Sequence, residues 1–420
     1  MKDRRHKIAV AFLVLFLAGC AAYWLARWQQ ELMIDFKTFY AAAATANEGK
    51  DLYDVNVLNQ TAKAKGLEGY VFPYLYTPFL AYVTRPWQAL EPGTALRSVI
   101  GLNLVLLFPV LLLIGFDSRA RIASLLGGVK SEAAFVFAAI ALFAVNFHET
   151  LLMGQINLLV LLLIVLSLHF ARTGRETLGG VFLGIAALLK ITPLLLLVWF
   201  VARGRFKVLA SCLVTIPVGV AVTLAMGALP AWQSFFAFLP KMSYGGAIPG
   251  LFPAGFFPNF SLAGFLSRLL PNQEPTVRIA TITLIAALLA VFAWIVRSRR
   301  DEKAAELMLL PFLILMVIAS PLTYVHHVLY IAPGQVLALC FAWSALRGWR
   351  RAVAVGSLLL VSAVAGFRFP DLYWHWTLSP LEAKLFTSIN LYALLALMLI
   401  GLALALTPQP PRTRSVDEAA

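Results

Sequence analysis

Long apolar runs, punctuated by small clusters of Lys and Arg, constrain this chain more than any other feature. The clusters are Lys2/Arg4/Arg5/Lys7, Arg119/Arg121/Lys130, Arg172/Arg175, Arg203/Arg205/Lys207, Arg297/Arg299/Arg300/Lys303, Arg347/Arg350/Arg351 and Arg412/Arg414. The runs between them do not alternate polar and apolar residues, so they do not read as strands of a membrane barrel. A bilayer accepts such runs as helices, because a helix closes its own backbone hydrogen bonds where no water can. Composition agrees: 61% of the 420 residues are hydrophobic and 13% are charged, against roughly 25% charged in an ordinary soluble domain. The expected fold is all-α, a polytopic transmembrane helical bundle forming one integral membrane domain over residues 1–420.

The formal net charge of +14 does not point to nucleic acid, because no basic stripe interleaved with aromatics stands on a soluble module. Placing every basic cluster in the cytoplasm makes the chain leave and return between neighbouring clusters. Residues 207–228 and 276–296 then flank an outer loop at 229–275. Residues 304–320 and 326–346 flank a short outer turn, 351–368 and 385–406 an aromatic outer segment, and 131–149 and 153–171 another outer turn. Residues 177–202 are too long for one upright span of about 20 residues and too short for two. With Lys190 and Pro193 in their middle, they read as two short broken helices beneath an outer cavity. Residues 72–90 contain three prolines and a charge, and read as a surface or re-entrant element within an outer juxtamembrane segment, 28–97. The count is about twelve spans with both termini cytoplasmic and a tail at 407–420. Leu17-Ala18-Gly19-Cys20 looks like a lipoprotein signal, but the apolar run continues through Ala26, which favours an uncleaved first helix. Cys20, Cys212 and Cys340 lie in apolar runs and form neither a disulfide framework nor a metal-ligand pattern.

Several polar residues fall where the bilayer makes them expensive. Asp35 follows the first helix and precedes a stretch suited to an amphipathic helix in the interface. A carboxylate held there beside aromatics gains basicity through desolvation, whereas the simpler role is to cap the helix after it. Lys190 lies inside an apolar run, where a cation costs about 2.5–3.5 kcal/mol on insertion scales. It either snorkels or meets an anion, and a lipid phosphate is the obvious one. Ser320-Pro321 and the adjacent His326 and His327 stand at an outer helix boundary, suited to holding an anion or passing a proton. No further ligands give the histidines metal spacing. Gln155, Asn157, Asn259, Ser261, Arg268 and Arg368 mark outer helix ends. The Gly-, Pro- and Phe-rich stretch 245–258 suits either a flap over a cavity or a connector.

In order along the chain stand Asp35-Phe-Lys-Thr-Phe-Tyr-Ala-Ala with Gly49 and Leu52-Tyr53-Asp54; Tyr76-Thr77-Pro78; and Gly154-Gln155-Ile156-Asn157-Leu158-Leu159. After them come Gly184 through Lys190-Ile-Thr-Pro193, Asn259-Phe260-Ser261-Leu262, and Ser320-Pro321 with His326-His327. This ordered set, covering about three-quarters of the chain, resembles the multispan glycosyltransferases of the GT-C type that use polyprenyl-phosphate sugars. It is most similar to glycosyltransferase family 87 (DUF2029), which includes α-(1→2)-mannosyltransferases. The resemblance implies that Asp35 is the catalytic base toward the acceptor hydroxyl and that one of the histidines serves the active site. It also implies that Lys190, Gln155, Asn157, Tyr76 and Asn259 bind substrate, and Arg268, a cation at an outer helix end, joins them as a substrate-binding candidate. It implies a lipid-linked donor, a glycolipid or glycan acceptor, no cofactor or metal, and a bacterial inner membrane location with the site periplasmic. Three positions depart from the usual motifs: Thr77 replaces a Pro, Phe260 replaces a Gln, and Tyr324 replaces a Trp. Two other readings of the chain are a lipid-linked sugar flippase and a non-catalytic membrane scaffold.

Overall fold

The computed structural model describes residues 34–126, 146–299, 301–367 and 380–407, together with Gly19. The first helix with Cys20, most of the span expected at 131–149, Arg368 with the aromatic segment after it, and the tail from 408 lie outside these residues. The described residues are helical, with no strand among them. Six helices are long and apolar enough to cross a membrane: Pro92–Leu126, Phe206–Ala225, Glu274–Arg299, Val325–Ala345, Gly348–Gly366 and Ile389–Leu406. Asn157–Arg172, Glu176–Leu189 and Thr192–Ala202 are apolar but shorter. The chain is a helical membrane protein.

The break expected near Lys190 is present. Glu176–Leu189 ends at Lys190, whose backbone is extended, and a 3-10 turn over Thr192–Leu195 precedes Leu196–Ala202. Pro193 removes an N–H donor there and stops the first helix from continuing. Glycines let this helix approach its neighbours closely. A Cβ at Gly179 would stand 2.9 Å from the Ser167 carbonyl, and one at Gly180 would overlap Ser211 Oγ and the Val208 carbonyl. Gly184 meets Thr215 in the same way. Small residues four apart are how helices associate inside a bilayer, where no hydrophobic force draws them together.

Residues 72–90 form a six-residue helix, Pro78–Val83, and a 3-10 turn, Arg85–Ala89. Six residues rise about 9 Å, far short of the roughly 30 Å hydrocarbon layer. Arg85 pins this segment, donating to the carbonyls of Ala46 at 2.6 Å and Met226 at 3.1 Å. The stretch after Asp35 differs from expectation. Ile34–Asn47 is a helix, but Phe36, Phe39 and Ala41 through Ala44 are buried. The alanines that make it look weakly amphipathic leave room for Val55–Ala64, Pro78–Val83 and Arg85–Ala89 to pack around it, so it is an interior element. The segment 229–275, expected as an outer loop, holds more structure than a loop, with helices Leu229–Phe238 and Leu262–Leu269.

Three of the basic clusters meet at one end of the bundle. Glu306, fully buried, accepts from Arg172 Nη2 at 2.7 Å and from Arg203 Nη1, with Arg121 Nε at 3.8 Å. Asp117 joins Arg172 at 3.3 Å and His169 Nδ1 at 2.7 Å. Asn157–Arg172 runs from this ionic cluster to the cavity described next, so the two features occupy opposite ends of the same helix.

Candidate functional site

A turn between two helices builds the first wall of the site. The segment 146–152 ends at Met153, and Gly154 takes φ +66°, a conformation that favours glycine. The chain then re-enters a helix at Asn157. The Met153 carbonyl accepts the backbone N–H groups of Asp35 and Phe36 at 3.1 and 3.3 Å. This docks the start of Ile34–Asn47 against the turn and brings Asp35 beside Gln155. Gln155 Nε2 donates to Asp35 Oδ2 at 2.7 Å and lies 3.1 Å from the Tyr76 hydroxyl, which lies 3.2 Å from Gln155 Oε1. Asn103 Nδ2 holds the Gln155 carbonyl at 3.1 Å.

Asp35 is half-buried, and that burial pushes its carboxyl up to about 6, with the Gln155 hydrogen bond and the Lys190 charge pulling the other way. Tyr76 is held above the ordinary phenol range, first by burial and then by the nearby Asp35 charge. Tyr324 is raised for the same two reasons. Both remain hydroxyl donors at neutral pH. Lys190 arrives from the broken helix; its Nζ donates to Asn157 Oδ1 at 3.2 Å and stands 5.7 and 5.4 Å from the ring centroids of Tyr76 and Tyr330. Its direct hydrogen-bond acceptor is a neutral amide, which leaves the ammonium charge uncancelled at contact range.

His326 and His327 lie on a 3-10 segment, Val325–Ile331, with ring centroids 4.3 Å apart. The Tyr324 N–H donates to His327 Nδ1 at 3.1 Å. That nitrogen must therefore be the bare one, and the proton stands on Nε2.

These groups share one cavity of about 700 Å³, with Asp35, Tyr76, Gln155, Lys190, His326 and His327 on its wall. The volume lies within the usual range for small-ligand sites. The remaining wall is largely apolar, including Phe252, Phe256 and Phe257 from the Gly- and Pro-rich stretch. That stretch is tied across the cavity: Tyr70 Oη donates to the Gly250 carbonyl at 2.8 Å, and Phe72 packs on Phe252 at 5.7 Å between centroids.

Three residues expected to bind substrate do not line the cavity. Asn157 is fully buried behind Lys190. Asn259 spends its amide on protein backbone: Nδ2 donates to Ala254 and Pro321 carbonyls, while Oδ1 accepts the Ser261 and Thr323 N–H groups. Arg268 donates to the Asn259 carbonyl at 2.7 Å and to Ser388 Oγ at 2.9 Å. Asn259 and Arg268 order the loops behind the wall. Glu149, a buried carboxylate not singled out in the sequence, does line the cavity. A carboxylate at a membrane boundary is the signal that marks it. Among the described residues, no group of three or more His, Cys, Asp and Glu is placed to hold a metal.

Residues 74–321, more than half of the chain, match the family model of glycosyltransferase family 87. The match begins after Asp35 and ends before His326. A Mycobacterium tuberculosis protein is 26% identical over 79% of this chain and 72% of its own length. It is described as a polyprenol-phosphate-mannose-dependent alpha-(1-2)-phosphatidylinositol pentamannoside mannosyltransferase. A second from that species, described as acting on phosphatidylinositol mannoside, is 24% identical over 84% of this chain and 80% of its own length. A Mycolicibacterium smegmatis protein with the first description is 24% identical over 74% of this chain and 70% of its own length.

Proposed function

Because the chain belongs to glycosyltransferase family 87, we propose that it transfers mannose from a polyprenol-phosphate donor to a hydroxyl of a glycolipid or glycan, with Asp35 as base. The observation that carries this reading is the placement of Asp35 and Lys190 on one cavity wall, with Asp35 bonded to Gln155, Gln155 to Tyr76, and the Tyr76 ring 5.7 Å from the Lys190 ammonium. Asp35 takes the proton of the acceptor hydroxyl as its oxygen forms the new bond to the anomeric carbon. The bond from that carbon to the phosphate oxygen breaks. The electron pair leaves with the polyprenyl phosphate, whose growing charge meets the Lys190 ammonium. The His327 Nε2 proton and the tyrosine hydroxyls supply further donors to sugar or phosphate oxygens. Glu149 offers a second acceptor for sugar hydroxyls.

The donor follows the names of the mycobacterial relatives, and the acceptor is the class those names share, a lipid carrying sugar. Of the three departures from the family's usual motifs, Thr77 and Tyr324 line the cavity, whereas Phe260 is buried outside it. Sugar and acceptor choice are therefore read at Thr77 and Tyr324. The remaining topology belongs to the same proposal: twelve crossings in one domain, termini in the cytoplasm, and the cavity on the periplasmic face of a bacterial inner membrane. It is supported by the meeting of Arg121, Arg172 and Arg203 at the end of the bundle away from the cavity.

Purified full-length protein, given polyprenol-phosphate mannose labelled in the sugar and a phosphatidylinositol mannoside, is expected to move label to the acceptor. Label that crosses a vesicle bilayer while remaining on the polyprenol would overturn the transferase reading.

A further inference from the structure

Three interruptions of helical backbone meet behind the cavity: the turn at Gly154, the extended residue Lys190, and the 3-10 segment Val325–Ile331. One side chain ties the last two to the start of the helix after the first. Asn157 Oδ1 accepts from Lys190 Nζ at 3.2 Å and from the Tyr330 hydroxyl at 2.6 Å, while Nδ2 donates to the His326 carbonyl at 3.2 Å. Both Oδ1 lone pairs are used, and the two donors facing Oδ1 together with the carbonyl facing Nδ2 fix the amide in one orientation. Asn157 has no exposed surface and does not reach the cavity, so contact with substrate is not its role.

We infer that Asn157 is a positioning residue that fixes the Lys190 ammonium in place without neutralising it, reserving its charge for the donor phosphate. The inference rests on the reading of Lys190 as the phosphate's partner. The chemistry of the amide is what that task requires. A carboxylate in its place would satisfy Lys190 as a buried ion pair, leaving the phosphate to compete with a charge already at contact. An apolar side chain would strand the ammonium, the Tyr330 hydroxyl and the way His326 is held. The neutral oxygen orients the cation at the cost of little of its field. The same amide couples Lys190 to the histidine segment, so the two cavity elements share one reference point.

The test uses full-length protein in lipid nanodiscs, with steady-state KM measured separately for polyprenol-phosphate mannose and a phosphatidylinositol mannoside, and the thermal midpoint recorded alongside. Asn157→Asp is expected to raise the donor KM tenfold or more with the acceptor KM within about twofold, because an interaction with one partner should not spread to the other. Asn157→Leu, the second variant, should also raise the donor KM selectively. Adding Asn157→Asp to a Lys190→Met background should change the donor KM no further. The inference is overturned if Lys190→Met loses donor affinity while Asn157→Asp keeps the wild-type value. It is equally overturned if either Asn157 variant shifts both KM values and the midpoint together, which is what a purely structural role would give. If Lys190→Met itself keeps the wild-type donor KM, the phosphate reading of Lys190 fails first.

Discussion

At the scale of single residues, the proposed chemistry turns on how Asp35 is held. Burial alone would favour its neutral form; the 2.7 Å bond from Gln155 and the charge of Lys190 restore part of its acidity, leaving it at about 6. A base works only when ionised, so kcat/KM should fall as pH drops through about 6. Gln155→Leu removes a donor to the anion, and such bonds are worth about 1.5–3 kcal/mol. The acidic limb of the pH–rate profile should therefore move up by about one to two units; an unmoved limb would show that Gln155 does not tune this carboxylate. Asp35 and Lys190 were legible in the sequence because each is an ionisable group where the bilayer makes charge costly. From its own chemistry Gln155 read as a polar residue near a helix end, and its partner lies 120 positions away. Asn259 and Arg268 lie off the cavity wall for a related reason: polarity at a helix end does not reveal whether a side chain faces a cavity or holds a loop.

At the scale of elements, the broken helix around Lys190 depends on close packing of Glu176–Leu189 against Phe206–Ala225. Gly180→Ala should push these helices apart and cost about 1–3 kcal/mol, the usual penalty for overpacking. Gly356 is helical with nothing within 4 Å of an added Cβ, so Gly356→Ala is the control and should leave the midpoint unchanged or raised. Thermal unfolding in detergent distinguishes them, and equal midpoints for the two variants would contradict the packing account. Helix positions such as Phe206–Ala225 and Glu274–Arg299 were legible because apolar length is written directly in the sequence. The interior placement of Ile34–Asn47 was not legible, since an alanine-rich helix is compatible with either interface or interior. What decided it were the segments at 55–64, 78–83 and 85–89 that close around it.

At the scale of the whole molecule, the bundle carries an uncompromisingly charged cluster at one end and a mixed apolar and polar cavity at the other. Glu306 brings together arginines from three helical segments, so Glu306→Ala removes the fully buried carboxylate and leaves them only Asp117 and the more exposed Glu302. Removing one partner of a buried ion pair costs about 3–5 kcal/mol. The expected result is a large loss of thermal stability, whereas a midpoint within the error of wild type would remove the cluster from the account of what holds the bundle. The central claim concerns the other end, the proposed role of Asp35 as the base. The most direct measurement is single-turnover transfer by Asp35→Asn with polyprenol-phosphate mannose and a phosphatidylinositol mannoside, beside the donor Kd. A general base contributes roughly 10²–10⁴-fold, so the rate should fall by that factor while the donor Kd stays within about threefold. Transfer within a few-fold of the wild-type rate would contradict the assignment of Asp35 as the base.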